Sequence, residues 1–399
     1  MNLIDVISAG PGDFALLTQA AREALFAARH VFGAERYRTL AGGGAVFHSV
    51  TPLEAALCKI EELQSQNAKL AVIVSGDAGL YSMLGVLRRR FGAEALNVIP
   101  GVSSLQYLCA KLGTPWQDAR VLSAHGRELS AAALCFAART NAHVFVLLDG
   151  EKNPAWVKRA LSEGGLSALR LYVGERLSYP DERVALYEER EYDSLSCALI
   201  ENDAPERHAP VFGLDDESFI RGKTPMTKRE IRAQILSALR LRPEAVCWDV
   251  GAGTGSVSVE MALCCPLGSV YAIERDEEAQ ALIEQNARHF GLLNLCLVRG
   301  EAPEALKGLP APTHVFLGGT GRETEAILSL LQGLNAPVRL CATAVTLETE
   351  KTLFELLSPL PGFSAVQISA SRIEKLGSYH MRKALNPVTV FAADIGGNA

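Results

Sequence analysis

Short runs of β-branched and other apolar residues alternate with longer stretches in which apolar positions recur every three or four residues, almost from one end of the chain to the other. The first pattern predicts strands and the second amphipathic helices, and their alternation predicts α/β layers around parallel strands. In the first half, "LIDVISAG", "KLAVIVSG", "LNVIPG", "ARVLSAHG" and "AHVFVLLDG" each read as a strand entering a glycine-bearing loop. Between them, "PLEAALCKIEEL" sets Leu53, Leu57, Ile60 and Leu63 on one helical face. The stretch "ALRLYVGERLSYPDERVALYEEREYDSLSCALIEN" differs: it predicts short alternating strands with little helix, a mixed sheet forming a second lobe of the first half. "ENDAPERHAP", from Glu201 to Pro210, is polar and twice broken by proline, and reads as a linker. Beyond it the pattern restarts. Thr227 and Glu230 have the spacing of a capping box opening a helix, and a further strand-loop-helix series follows. No sequence repeat relates the halves, so we expect two unlike domains, residues 1–205 and 206–399.

Size and composition agree with that division. A chain of 399 residues suits two domains, and 48% hydrophobic against 21% charged residues predicts a folded chain without long disordered arms. A net charge of -6 argues against nucleic acid as a partner, since phosphate binding needs a basic field. The longest apolar runs are interrupted by Pro, Gly, Ser and Gln, and no basic region precedes the apolar N-terminus, so neither a membrane span nor a secretion signal is expected. A cytoplasmic location follows. The nine cysteines form no C-x-x-C pair and read as small core residues, and the eight histidines lack ligand spacing, so no metal site is expected.

The chemistry concentrates in two glycine-rich turns. In "DVGAGTGSVSVEMAL", Asp249 ends a buried strand, and Gly251, Gly253 and Gly255, with Ala252 and Thr254 between them, allow a tight turn that presents backbone N–H groups at a helix start. Ser256 stands where a dinucleotide fingerprint requires its third glycine, which shifts the reading from NAD toward S-adenosylmethionine. The next strand ends in Glu274, placed to accept ribose hydroxyls, and the third ends in "RGEAPEAL", whose Glu301 and Ala302 are placed to meet an adenine. Together with "GLDDESFIRGKTPMTKREIRAQILSAL", "AIERDEEAQALIEQNARHFGL" and "ASRIEKLGSYHMRKALNPVTVFAA", these stretches resemble the class I methyltransferase domain of cobalamin biosynthesis, which methylates C15 of a precorrin and removes the acetate carboxyl of ring C. The resemblance implies a Rossmann-like fold and cofactor contacts at Thr227, Gly251 to Gly255, Glu274 and Ala302.

The other turn, "ISAGPGD", is of another kind, because Pro11 has no N–H and makes a poor start to a phosphate cradle. "VSGDAGLYS" and "IPGVSSLQ" add two more strand ends at the spacing of successive α/β units, and such ends converge on one edge of a parallel sheet. The three motifs are similar to the tetrapyrrole methylase family, and most closely to the enzymes that methylate C5 in the same pathway. That likeness implies a two-lobed fold and a cofactor site lined by Pro11, Asp77, Leu80, Ser103 and Ser104. It departs at Ser8, where many members have glycine. Two such domains in one chain resemble the cobalamin-pathway methyltransferases that act at both C5 and C15, with two S-adenosylmethionine sites, a precorrin substrate and a homo-oligomeric state implied. Decarboxylation needs a proton donor, for which Tyr379 and His380 are candidates. Arg127, Arg372, Lys375, Arg382 and Lys383 are candidates for the substrate's carboxylates. A cobalt-bearing substrate, an RNA or protein methyltransferase with a recognition domain, an NAD-linked reductase, and a non-catalytic S-adenosylmethionine-binding regulator stand as alternatives.

Overall fold

The computed structural model describes residues 2–42, 44–126, 128–206, 212–319 and 323–396. The chain divides into two compact units, one made of Met1–Leu129, Ala137–Leu161 and Ser167–Pro205, the other of Ser130–Phe136, Ser162–Leu166 and Glu206–Ala399.

The first unit has two five-stranded sheets. In one, the strands run in the order Val46–Ser49, His30–Gly33, Leu70–Val74, Ile4–Ser8, Leu96–Ile99, and every described pairing is parallel. Its central strand Leu70–Val74 is buried along its whole length, as a parallel strand covered on both faces must be. The helix Leu53–Ser65 packs Leu57, Ile60 and Leu63 into this core, whereas Leu53, at the helix start, stays 40% exposed. The second sheet has the order Arg120–Ser123, His143–Leu147, Ser196–Glu201, Arg170–Glu175, Arg183–Leu186. Only its first pair is parallel, which is the mixed sheet expected from the short, hairpin-rich stretch.

The second unit is a seven-stranded sheet in the order Leu295–Arg299, Ser269–Glu274, Val246–Val250, His314–Leu317, Val338–Ala344, Val388–Ile395, Ser364–Ile368. Val388–Ile395 alone runs antiparallel to both its neighbours. Strand alternation sets the core: Trp248 and Val250 join the face covered by the helices Thr324–Gly333 and Leu347–Leu357, while Cys247 joins the face covered by Arg229–Leu239 and Ser256–Cys264. Asp249 shares parity with Cys247 and therefore faces the helix Ser256–Cys264. A separate hairpin, Ser371–Leu376 with Tyr379–Ala384, turns through a two-residue loop whose Gly377 has φ 60°.

Two expectations are corrected here. The helix begins at Arg229 with Lys228 as its cap residue and no side-chain cap bond, so Thr227 and Glu230 form no capping box. The Glu230 carboxylate is instead taken by Arg372, at 2.8 and 3.1 Å, and Asp216 accepts from the Arg229 amide at 3.0 Å. Second, the cysteines are not all core residues: Cys58 and Cys296 are exposed.

Candidate functional site

Three neighbouring strands of the first sheet, Leu70–Val74, Ile4–Ser8 and Leu96–Ile99, end on the same edge, and the three predicted motifs occupy their ends. The first two loops zip together through Gly10 and Gly76, whose amides and carbonyls pair at 3.1 and 2.9 Å. Asp77 ties the second loop to the third: one oxygen accepts from Gly79 N (2.8 Å) and the other from Gly101 N (3.1 Å). Ser8, the family departure, packs tightly. Its Oγ accepts from Ala78 N at 2.8 Å, and a Cβ on Gly101 would stand 2.7 Å from Ser8 Cβ and 2.8 Å from its carbonyl oxygen. Ser103 is buried; its amide and carbonyl are taken by Gln106 and Tyr107 and its Oγ accepts from Gln106 N, so what it offers a ligand is its hydroxyl proton. Pro11, Leu80 and Ser104 are half-buried around this edge.

Residues distant in sequence complete this cluster. Tyr179 lies over the Pro11 corner so closely that a Cβ on Gly12 would fall 2.5 Å from its ring, and Ser178 Oγ accepts from Asp13 N at 2.9 Å. Tyr81 takes a positive φ of 48°, a costly backbone for an aromatic residue, and donates its hydroxyl to Val121 O at 3.3 Å. The proline corner is thus walled by both sheets of the unit. Of the cations proposed for this half, Arg127 lies outside the described residues; its neighbour His125 is exposed.

In the second unit the glycine turn sits where the strand order reverses around Val246–Val250, the usual crevice of an open α/β sheet. Gly251, Gly253 and Gly255 all have positive φ, between 56° and 76°. Gly251 admits no side chain, since a Cβ would overlap Gly318 O at 2.1 Å. Gly255 caps the helix Ser256–Cys264 without any side-chain cap bond, so no cap side chain occupies the Ser256 and Val257 amides at the helix start. Glu274 stands at the end of the adjacent strand, half-buried. It accepts from Gly253 N (2.8 Å) on one oxygen and from the Arg275 and Asp276 amides (2.8 and 2.9 Å) on the other. A carboxylate has about four acceptor positions, so one remains for a ligand hydroxyl. Ala302 is buried at the end of the third strand, whereas Glu301 is exposed and ion-paired with Arg275.

Behind the turn lies Asp249, fully buried, with Ser258 Oγ donating to one carboxylate oxygen and no partner for the other among the described residues. Burial pushes its carboxyl up to about 7, the Ser258 bonds oppose that shift, and the charge on Glu274 adds to it. Asn286 is a second buried polar residue. It accepts from Ile220 N (2.8 Å) and donates to Ile220 O and Thr254 O, both at 3.1 Å, joining the segment before the first helix to the glycine turn. Its signal was present in the sequence: with Ala279, Leu282 and Ile283 it completes an i, i+3, i+4, i+7 face, the one polar member of an apolar stripe. Thr224 and Pro225 of the same segment flank Gly253, and Thr227 follows, half-buried.

The remaining candidates sit on the hairpin. Tyr379 is 76% exposed, and His380, Lys375 and Arg382 are exposed as well. Lys383 pairs with Glu374 at 3.2 Å. Arg372 is engaged with Asp216 and Glu230. The hairpin thus brings the proposed donors and cations together on one projection, in water.

Two family models match the chain: Tetrapyrrole (Corrin/Porphyrin) Methylases over residues 4–192 and Precorrin methyltransferase domain over residues 218–394. A precorrin-6Y C(5,15)-methyltransferase [decarboxylating] of Sinorhizobium sp is 31% identical over 396 residues, spanning 97% of this chain and 95% of its own length. One from Mycobacterium tuberculosis (strain CDC 1551 / Oshkosh) is 30% identical over 90% of this chain and 92% of its own. A probable cobalt-precorrin-6B C(15)-methyltransferase (decarboxylating) of Pyrobaculum calidifontis is 44% identical over 45% of this chain and 95% of its own.

Two predictions follow from this geometry. Gly101→Ala drives a methyl group into Ser8 and is expected to destabilise the chain by about 1–3 kcal/mol, the usual cost of overpacking, read as a lower denaturation midpoint; an unchanged midpoint contradicts the close approach. Asp249 has a folded pKa of about 7 above its ordinary 3.8, so the folded state holds the proton more tightly and this group's contribution to stability falls as pH rises between those values. Melting curves of Asp249→Asn and the parent should therefore diverge in favour of the Asn variant as pH rises from about 4 to about 7, then run parallel. A pH-independent difference would show that Asp249 ionises normally.

Proposed function

The chain belongs to the precorrin-6Y C(5,15)-methyltransferase (decarboxylating) family, and on that premise we propose how its two units divide the work. It is an S-adenosylmethionine-dependent C-methyltransferase of cobalamin biosynthesis that methylates precorrin-6Y at C5 and C15 and removes the acetate carboxyl of ring C, giving precorrin-8. We assign C5 methylation to residues 1–205, and C15 methylation with decarboxylation to residues 206–399, with one cofactor site in each and a cytoplasmic setting for both. The observation that carries this reading is the presence of two strand-end clusters of different construction. One is a proline corner among three tied loops; the other is an uncapped helix start beside a strand-end carboxylate.

Bound S-adenosylmethionine supplies an electrophilic methyl group to a nucleophilic ring carbon. The protein's part in such a displacement is alignment and exclusion of water. In the first unit the loops carrying Pro11, Asp77, Leu80, Ser103 and Ser104 would hold the cofactor, Ser103 through its hydroxyl, with Tyr179 closing the corner. In the second, Gly251 to Gly255 offer amides, Glu274 an acceptor for ribose, Glu301 and Ala302 the adenine side, and Thr227 the opposite wall. The residues present fit the cofactor: the turn leaves its helix N–H groups uncapped, and Glu274 keeps an acceptor position open. Decarboxylation leaves electrons that the conjugated ring absorbs, and a proton must then arrive. Tyr379 and His380 serve that step only where something covers the hairpin, since water otherwise competes for the proton. The apolar Ile373, Leu376 and Met381 exposed beside them support self-association of the chain. Among the described residues no helix is long and apolar enough to cross a membrane.

A cobalt-bearing substrate is the second reading, favoured by the 44% identity to an enzyme named for cobalt-precorrin-6B. Full-length chain given precorrin-6Y and S-adenosylmethionine, with products weighed by mass spectrometry, should gain two methyl groups and lose one carboxyl; turnover with the cobalt form alone would select the second reading. Asp77→Ala should lower C5 methylation by about tenfold or more while C15 methylation and CO2 release persist, and Gly253→Val should do the reverse. Either variant losing both methylations equally would overturn the assignment.

A further inference from the structure

The segment from Gly213 to Lys228 contains only one short turn of helix, Asp216–Ser218, yet it is held by buried charge. Arg232 has no solvent exposure. It donates to Glu260 Oε1 (2.8 Å), Asp216 Oδ1 (2.8 Å), Thr227 O (2.6 Å) and Leu214 O, and lies over the Phe219 ring. Glu260, equally buried, also accepts from the Gly213 and Leu214 amides at 2.8 and 3.0 Å. The second oxygen of Asp216 accepts from Arg372 Nη2 at 2.8 Å, and Arg372 also forks onto Glu230. Burial alone would raise the Asp216 carboxyl, but the Arg232 and Arg372 guanidiniums bring it below the usual carboxylate range. One carboxylate therefore joins the exposed hairpin to the arginine that grips Thr227.

We propose that Arg372 is a positioning residue: acting through Asp216 and Arg232, it holds the segment carrying Thr227 against the second glycine turn. The inference rests on the reading of Thr227 as a cofactor contact. Three observations carry it. Thr224 and Pro225 are the groups nearest to the side-chain position of Gly253, at 3.8 and 3.7 Å, so the segment forms one wall of the turn. The segment has little regular structure to fix it; Phe219 and Met226 anchor it in the core, and these side-chain bonds, Asn286 and Glu278 set the course of the backbone between. Finally, Nε and Nη2 of Arg372 are taken by two carboxylates, and turning them toward a substrate carboxylate would strip Asp216 of one of its two guanidinium partners. Arg372 thus reaches the reaction through the cofactor wall rather than through substrate, in contrast to the role expected from its sequence position.

The test uses the full chain with precorrin-6Y, comparing Arg372→Ala, Arg372→Lys, Thr227→Ala and the double variant. Arg372→Ala should raise the S-adenosylmethionine KM of one of the two methylations by about tenfold, the effect of losing one charge-assisted hydrogen bond, with kcat nearly unchanged and the other methylation untouched. Amide hydrogen exchange in residues 213–228 should quicken, and Arg372→Lys should recover part of the loss. Adding Arg372→Ala to Thr227→Ala should cost less than the single changes combined, because both act on one contact. An unchanged KM in Arg372→Ala, or an equal fall in both methylations with a lower melting temperature, overturns the proposal. Were Thr227→Ala to leave KM unchanged, the reading of Thr227 would fail and the proposal with it; KM raised by Thr227→Ala and unchanged by Arg372→Ala would remove the positioning role alone.

Discussion

Parallel pairing obliges the strands it joins to finish on the same edge, and this constraint shapes the glycine-bearing edge of each half of the molecule. Each connection must leave from that edge, so loops that are remote in sequence crowd together there. In the first unit the ends of Ile4–Ser8, Leu70–Val74 and Leu96–Ile99 crowd so closely that Gly10 and Gly76 pair as a bridge and Gly101 has no room for a methyl group. In the second the same crowding presses Gly251 against Gly318. The glycines come first from packing between loops, and the backbone surface they leave is what a ligand can use.

The two edges then diverge in how they handle charge. The first is tied by Asp77 and Ser8 through neutral backbone amides, with Tyr179 and Ser178 brought in from the second sheet. The second is backed by ionisable groups with almost no access to water: Asp249, Arg232, Glu260 and Asp216. Buried charge is stable only when its hydrogen bonds are supplied. Arg232, Glu260 and Asp216 supply one another's, whereas Asp249 keeps one bare oxygen and a raised pKa. The two edges are thus held by unlike supports.

Much of this was legible in the sequence. The alternation of strand and helix patterns marks the strands, so Pro11, Asp77, Gly251 to Gly255 and Glu274 fall at strand ends as expected. What stayed hidden depends on partners far away in the chain. Glu230 has capping-box spacing, but Arg372, 142 residues on, outcompetes the backbone for its carboxylate. Tyr179 over Gly12 and Ser178 on Asp13 join loops 165 or more residues apart, a contact no spacing records. Cys58 and Cys296 look like core residues by type, yet one lies off the Leu57, Ile60, Leu63 face of its helix and the other lies on the edge strand of its sheet. Asn286 could have been found, because a lone amide on an apolar helical stripe has to be satisfied by something.

The central claim is that one chain folds one cofactor into two differently built sites. Equilibrium titration of the full-length protein with S-adenosylhomocysteine, by calorimetry against an independently measured protein concentration, tests it most directly. Two molecules should bind per chain with distinguishable affinities, one site abolished by Gly253→Val and the other retained. A stoichiometry of one, or the loss of all binding in that single variant, would contradict it.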